Sequence, residues 1–403
     1  MHALLEYLFD LERRGVKLGL EHTQELLRRC GNPHQTLSIA QIAGTNGKGS
    51  TAAIATYILK QHGRKVGLFT SPHLCRYNER IRVDGLPIGD SYIIRWVEKH
   101  KDDLDEIPST FFEANTAMAL SYFRDRRVDV AILETGLGGR LDATTATNPS
   151  WTALTPIDLD HMDMLGDTIH AIAREKAGIL QSGVPCFSAP QSQQVSEVVQ
   201  NEAERVGAPI IFVPQATDTP APRKLPGRHQ QINASVALAL TNAILGKDFD
   251  SEIANTAVEL AFWPGRYQQV SDHPKVIYDV AHNPHGMAAV LTTIAEEKLT
   301  GQKRLVLAMQ QGKEIARVLN MLLPEFDAVV LTQTDTRNFI PAAELAELSG
   351  AAHPHIQQEP IASKAIQETL KKARKNDFVA ILGSHYLGPA VAKVFKISFD
   401  NLK

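Results

Sequence analysis

The chain has little cysteine: three in 403 residues, Cys30, Cys75 and Cys186, odd in number and far apart. That excludes a disulfide framework and a CxxC metal clip, and makes a reducing cytoplasm the expected compartment. Charge of one sign is not in surplus either, with 42 Lys and Arg against 45 Asp and Glu and a net charge of −3. No global basic field is available for nucleic acid or an anionic membrane surface, so neither is an expected partner and local sites must carry any anion binding. No apolar run reaches the roughly 18 residues of a membrane span, and the N-terminal MHALLEYLFDLERRG carries acids ahead of its first Arg. Neither a leader nor a spanning helix is expected. What is present is a globular composition, 43% hydrophobic and 22% charged, outside the low-apolar, high-charge range of disorder. At roughly 100–200 residues per domain, the length predicts two or three compact cores.

The segment from Ala3 to Arg14 and Thr23 to Cys30 read as short helices, the second ended by Gly31-Asn32-Pro33. Leu37 to Ala43 then reads as a strand, followed by a glycine-rich turn, a helix Ser50 to His62 and a strand Lys65 to Thr70. Strand, glycine turn, helix and strand form the unit of doubly wound parallel sheets, because a parallel pair needs a crossover long enough for a helix. A helix near Glu113 to Arg124, strands Val128 to Leu133 and Trp151 to Pro156, and a helix Thr168 to Gln181 continue the pattern. Val184 to Ser188 and Pro209 to Val213 read as strands, Gln215 to Gln230 as surface loop, and Asn233 to Leu245 as helix. After Trp263-Pro264-Gly265-Arg266 the alternation restarts: strand Val276 to Val280, helix Pro284 to Glu297, strand Arg304 to Ala308, helix Lys313 to Leu323. Strand Ala328 to Thr332, helices Ala342 to Leu348 and Ala362 to Arg374, and strand Phe378 to Leu382 complete it. The expected class is α/β with two domains, residues 1–265 with a parallel sheet and a smaller Rossmann-like 266–403, hinged at Trp263 to Tyr267.

Gly44-Thr45-Asn46-Gly47-Lys48-Gly49-Ser50 lies between a strand and a helix. There glycines let backbone N–H groups curl around phosphates, and the helix N-terminus adds positive potential. Lys48 would reach the β- and γ-phosphates and the Ser50 hydroxyl would face Mg²⁺. The spacing GxxGKGS departs from GxxxxGK[ST]: Ile42 stands six before Lys48, and Gly49 separates Lys from Ser. A glycine turn with a solvated lysine is the plainer alternative.

Glu134 ends the apolar strand VDVAIL, where ligands bind in open α/β sheets and a carboxylate can hold magnesium. The glycines of Thr135-Gly136-Leu137-Gly138-Gly139-Arg140 then permit close backbone approach to a ligand. His161 follows among three acids in Asp158-Leu159-Asp160-His161-Met162-Asp163, and Lys176 sits in Arg174-Glu175-Lys176-Ala177-Gly178. A solvated strand-end acid, a structural histidine and an exposed helix lysine are the plain readings of these three, and spacing alone leaves both sets open.

Together, GTNGKGS, Ser71-Pro72-His73-Leu74, Glu79-Arg80-Ile81, Phe111-Phe112-Glu113, GLGGRLDAT, LDHMDMLG, REKAGI, Trp263-Pro264-Gly265-Arg266 and Asp279-Val280-Ala281-His282-Asn283 resemble folylpolyglutamate synthase/dihydrofolate synthase of the Mur ligase superfamily, in order as well as identity, from about Leu18 onward. The resemblance implies ATP-dependent amide formation between a folate-type carboxylate (dihydropteroate or a reduced folate) and L-glutamate through an acyl phosphate, with small-molecule substrates as the expected partners and a monomer as the expected state. It implies ATP contacts at Thr45, Asn46, Gly47, Lys48, Gly49, Ser50, Asn233, Arg266, Asp279 and His282. It places magnesium, two ions, on Ser71, Glu134 and His161. It implies a carbamylated Lys176, with Lys48, His161 and Lys176 as the catalytic set and a monovalent cation as a further cofactor. The pterin-bearing substrate would lie on Thr110, Phe111, Phe112, Glu113, Leu141, Asp142 and Ala143. The chain departs from the family pattern with Thr145 where the run usually ends DATN, with Val280 where DGAHN is usual, and with Lys17 where an acid is common. The loop Met309 to Glu314 resembles the family's lysine-acid motif there loosely.

Two other readings make different demands. A peptidoglycan ligase of the same superfamily carries a UDP-sugar domain ahead of its phosphate loop, and 43 residues precede Gly44. A P-loop kinase or nucleotide switch leaves the second α/β unit with Asp279 and His282 unexplained, and no NKxD motif occurs.

Overall fold

The computed structural model describes residues 2–15, 19–214, 219–312, 314–335, 339–350 and 355–402. Lys17 and Lys313, with residues 215–218 of the expected loop, lie outside the described residues. The first sheet has eight strands: β1 (Ile39–Ala43), β2 (Val66–Phe69), β3 (Ile81–Val83), β4 (Leu86–Pro87), β5 (Val130–Glu134), β6 (Trp151–Leu154), β7 (Cys186–Ser188) and β8 (Ile210–Phe212). Their order is β4-β3-β2-β5-β1-β6-β7-β8. It is parallel except at the β4-β3-β2 edge, where both pairings are antiparallel. β1 and β5 are buried at every position, which is why both read as mostly apolar runs rather than alternating ones.

The second sheet holds β9 (Gln268–Asp272), β10 (Lys275–Asp279), β11 (Lys303–Leu307), β12 (Ala328–Gln333), β13 (Ile356–Ile361) and β14 (Phe378–Leu382), in the order β13-β12-β11-β14-β10-β9. Only the β9–β10 edge is antiparallel. The chain is thus a two-unit α/β protein whose sheets are mainly parallel.

Small residues set the packing behind the glycine turn. Helix Lys48–Gln61 buries Ala52, Ala53 and Ala55, and helix Arg228–Leu245 buries Ala234 and Ala237, in one shared core. Side chains this short let two helix axes approach closely and fix where the N-terminus of Lys48–Gln61 points.

Several elements differ from the sequence expectation. The loop expected through Gln230 ends earlier, because helix Arg228–Leu245 starts at Arg228 and Gln230 is buried. The helix expected to Gln181 stops at Ala177, where Gly178 passes so close to Arg140 that a Cβ would lie 2.2 Å from its side chain. Helices Asp90–Glu106, Gln193–Val206, Ser251–Leu260 and Gly388–Phe395 were not expected at all. Nor were the edge strands β9 and β13, whose polar QQVSD and IQQEPI lack an apolar alternation.

The C-terminal segment returns from the second unit to the first. Leu402 is buried in the core behind β1 and β2, and the Tyr57 hydroxyl donates to its carbonyl at 2.5 Å. Arg82, 1% exposed, donates from Nε to the Glu79 carbonyl at 3.1 Å, from Nη2 to Phe399 at 2.8 Å and from Nη1 to Gly85 and Asp400. Replacing it by methionine leaves these carbonyls without a donor in a dry setting, and a loss of about 3 kcal/mol is expected. A urea titration of Arg82→Met reads this as a lower midpoint, and an unchanged midpoint would show that the tail is not a structural strap.

Candidate active site

Every residue assigned a site role from the sequence lines one cavity of about 750 Å³, walled by both units. The reason is topological. β1, β5 and β6 lie side by side, so the segments leaving their carboxyl ends converge, with Ile42 of β1 in register with Glu134 and Ala43 with Leu154.

The glycine turn is stitched to the exit of β6. Thr45 and Asn46 donate their N–H groups to the Pro156 carbonyl, at 3.0 and 3.3 Å. The Thr45 hydroxyl donates to the Asp158 carbonyl at 2.9 Å. Two glycines are obligatory here. Gly44 has φ +141°, and a Cβ would lie 2.0 Å from Thr155 Oγ1; Gly47 has φ +91°, and a Cβ would lie 2.2 Å from Asn233 Oδ1. Helix Lys48–Gln61 begins directly after, so its first-turn N–H groups, which have no acceptor in the helix, face the cavity end of the turn. Lys48 Nζ donates to the Gly44 and Thr45 carbonyls, both at 3.1 Å, and makes no ion pair among the described residues.

Glu134 is buried, 5% exposed, and its Oε2 accepts from the Ser71 N–H at 3.2 Å. Burial pushes its carboxyl above the usual range, against the opposing charges of Lys48, Arg266 and Arg80. Ser50 Oγ is buried with no hydrogen-bond partner. Among the described residues no cluster of three His, Cys, Asp or Glu is spaced for a metal ion. An orphaned hydroxyl beside one dry carboxylate instead suits Mg²⁺, which takes few protein ligands and completes its shell with phosphate oxygens and water. His161 is exposed, with φ +50°, at the N-terminus of the short helix Met162–Leu165, on the rim of the same cavity.

Lys176 lies beneath the turn, 4% exposed, its Nζ donating to the Gly44 carbonyl at 2.9 Å. Burial, then the charge of Lys48, brings its pKa down to about 7. The surface lysine that spacing alone suggests is thus a buried amine that is neutral above neutrality.

On the opposite wall, Thr110 to Glu113 open helix Phe111–Arg126 with a capping box: Glu113 N–H donates to Thr110 Oγ1 at 3.3 Å and Thr110 N–H to Glu113 Oε2 at 2.7 Å. Glu113 Oε1 also accepts from the Thr23 hydroxyl, so its carboxylate is spent on structure. Asp142 is spent likewise, accepting from the N–H groups of Gly136, Leu137 and Thr144 and from the Thr144 hydroxyl. These two acids shape the wall, while the Phe111 and Phe112 rings, with Leu141 and Ala143, supply its apolar surface. Thr145, the departure from the family pattern, donates its hydroxyl to the Gly139 carbonyl at 2.6 Å and holds the same loop.

The second unit contributes Arg266, Asp279 and His282. Asp279 accepts from the N–H groups of Tyr267 and Ala281, both at 2.7 Å, which fixes the turn that presents Arg266. The units meet at the site itself, where Asn46 and Asn283 exchange side-chain hydrogen bonds at 3.2 Å and Asn283 reaches Asp160 at 2.9 Å. Sequence reasoning left out Arg80, His385 and Tyr386, which also line the cavity. Arg80 belongs to the run Glu79-Arg80-Ile81, and nothing in the letters distinguishes it from Arg82.

A phosphate turn and a buried carboxylate on one α/β unit, closed by an arginine-bearing second unit, define a ligase of the Mur type. Residues 42–221 match the Mur ligase middle domain and 265–385 the Mur ligase glutamate ligase domain. A dihydrofolate synthase/folylpolyglutamate synthase of Bacillus subtilis is 33% identical over 95% of this chain and 96% of its own. A probable bifunctional folylpolyglutamate synthase/dihydropteroate synthase of Haloferax volcanii is 33% identical over 96% of this chain, which spans about half, 49%, of that protein. A solved bifunctional folylpolyglutamate synthase/dihydrofolate synthase from Yersinia pestis, complexed with AMPPNP and a Mn ion, superposes with TM-score 0.88 at 30% identity over 98% of both chains. The chain belongs to the folylpolyglutamate synthase/dihydrofolate synthase family, a family of ATP-dependent ligases. No helix among the described residues is long and apolar enough to cross a membrane.

Proposed function

We propose that the protein joins L-glutamate to dihydropteroate and to folates, converting the acceptor carboxylate to an acyl phosphate with ATP. The observation that carries this is the charge of the cavity between the units: Lys48, Arg80 and Arg266 line it, and none of them makes an ion pair among the described residues, as a site for ATP and carboxylate substrates requires. A carboxylate oxygen attacks the γ-phosphorus and ADP leaves; the glutamate amine then attacks the acyl carbon, phosphate leaves, and the ammonium proton is released. Lys48 and the helix N-terminus hold the phosphates, with Asn233, Arg266, Asp279 and His282 completing the nucleotide site. Phe111, Phe112, Leu141 and Ala143 hold the acceptor's rings. Mg²⁺ on Ser71, Glu134 and His161, with the Ser50 hydroxyl, would screen the repulsion between phosphate and carboxylate. Lys176 takes CO₂ to become an anionic carbamate. The division between units falls near residue 265, and closure about Trp263 to Tyr267 excludes water from the acyl phosphate.

The test is phosphate release from Mg-ATP and L-glutamate with 7,8-dihydropteroate, with a tetrahydrofolate and with no acceptor, reading product mass in each. Both acceptors are expected to gain glutamate. Addition to one alone narrows the specificity, and hydrolysis indifferent to acceptor and glutamate would overturn the ligase reading in favour of a nucleotide switch.

A further inference from the structure

Two arginines close together in sequence behave in opposite ways. Arg82, on β3, is buried and answered by four backbone carbonyls. Arg80, at the end of the turn Tyr77–Arg80 that feeds β3, is 6% exposed, and a protein acceptor answers only its Nε: His73 Nδ1 at 2.8 Å. Its guanidinium lies 5.0 Å over the Phe111 ring, and no ion pair reaches it among the described residues. His73, pushed down to about 3 by burial and by the charge of Arg80, stays neutral and serves as an acceptor. Among the described residues the Nη1 and Nη2 edge of Arg80 therefore has no hydrogen-bonded acceptor and no ion pair, only the more distant charges of Glu134 and Glu12, although the side chain lines the cavity.

Burying an unanswered guanidinium is costly, and the cost is removed when a ligand supplies the anion. The planar fork suits a carboxylate held by two parallel hydrogen bonds. The phosphates have their own cradle in the glycine turn. Arg80 instead shares its wall with Phe111 and Thr110, where the acceptor's rings are placed.

We propose that Arg80 binds the carboxylate of the folate-type acceptor through its Nη1–Nη2 edge and so sets the requirement for an acid at that end of the substrate; this rests on the acceptor class proposed above. Phe111 then contacts both parts of the acceptor, packing against its aromatic ring and holding Arg80 over its own face. His73 is a positioning residue that fixes the guanidinium plane.

Calorimetric binding of 7,8-dihydropteroate and of its carboxamide analogue to the full-length enzyme separates the possibilities. The wild type is expected to prefer acid over amide by about 10- to 100-fold, the range of a charge-assisted pair. Arg80→Gln is expected to lose that preference by weakening the acid alone, with the amide unchanged, and Arg80→Lys to restore part of it. In turnover, KM for the acceptor rises while KM for ATP and L-glutamate holds. The unliganded Arg80→Gln protein is expected to melt no lower than wild type, because a charge buried without an ion pair is gone. Equal weakening of acid and amide, a rise confined to KM for L-glutamate, or a fall in melting temperature with general loss of binding would each overturn the proposal. If the wild type binds neither compound, the acceptor class itself fails; if it binds both as expected and Arg80→Gln changes nothing, only the role of Arg80 fails.

Discussion

Lys176→Ala is expected to lower kcat by about 10³-fold, the scale for removing a preorganised charge at a phosphoryl-transfer centre, with nucleotide binding changed only a few-fold. A protonated lysine would be the wrong residue here, since it would repel Mg²⁺ and compete with Lys48. The structure makes the other form accessible: with its pKa near 7, the Lys176 amine is largely neutral at pH 8, where an exposed lysine would be charged. A neutral amine adds to CO₂ by forming an N–C bond and releasing one proton, which turns a potential cation into an anion. At fixed CO₂ pressure, activity should therefore rise with pH, as the amine loses its proton near pH 7 and as carbamate formation releases another above it, until the carbamate saturates. Removing dissolved CO₂ should lower wild-type activity reversibly and leave the residual activity of Lys176→Ala untouched. A ¹³C carbamate resonance from labelled bicarbonate, absent in Lys176→Ala, provides a readout independent of turnover. Wild-type activity indifferent to CO₂, with no such resonance, would mean that the amine itself serves.

Much of this site is legible in the sequence because a doubly wound sheet obeys strong rules. An apolar run ending in glycines and opening into an alanine-rich helix fixes β1, the turn and helix Lys48–Gln61 within two residues. An acid ending the next parallel strand then falls beside that turn, as Glu134 does. The letters do not say where a side chain's hydrogen-bonding capacity goes. Asp142 and Glu113 are read as substrate contacts, yet their carboxylates are consumed by backbone N–H groups and hydroxyls of their own loops. Arg80 shows the reverse, for nothing in Glu79-Arg80-Ile81-Arg82 tells which guanidinium is answered by the fold. His385 and Tyr386 reach the cavity because β14 lies beside β10, a neighbour relation that crosses some hundred residues of sequence. Amphipathic helices such as Asp90–Glu106 are missed for a different reason: their buried Ile93, Trp96, Val97 and Leu104 are diluted by a long charged face.

Glu134→Gln is expected to act in opposite directions on stability and on catalysis, and that contrast is the most direct check on the carboxylate's purpose. In the unliganded protein Glu134 is a dry acid whose pKa is raised by burial, so ionisation costs the fold stability as pH rises through that raised value. The unfolded chain, with its lower pKa, ionises first and gains. At pH 8 the neutral glutamine avoids this cost and keeps an oxygen for the Ser71 N–H, so the variant's unliganded melting temperature should equal or exceed that of wild type. With ADP and Mg²⁺ the order should reverse. Wild type should gain the stabilisation that tight binding confers, while Glu134→Gln, without the charge that offsets the metal's dehydration, should gain little. Turnover should fall by roughly 10²- to 10³-fold. A variant that melts lower than wild type without ligand, yet gains the same stabilisation from ADP and Mg²⁺, would place Glu134 among the structural acids with Asp142 and Glu113.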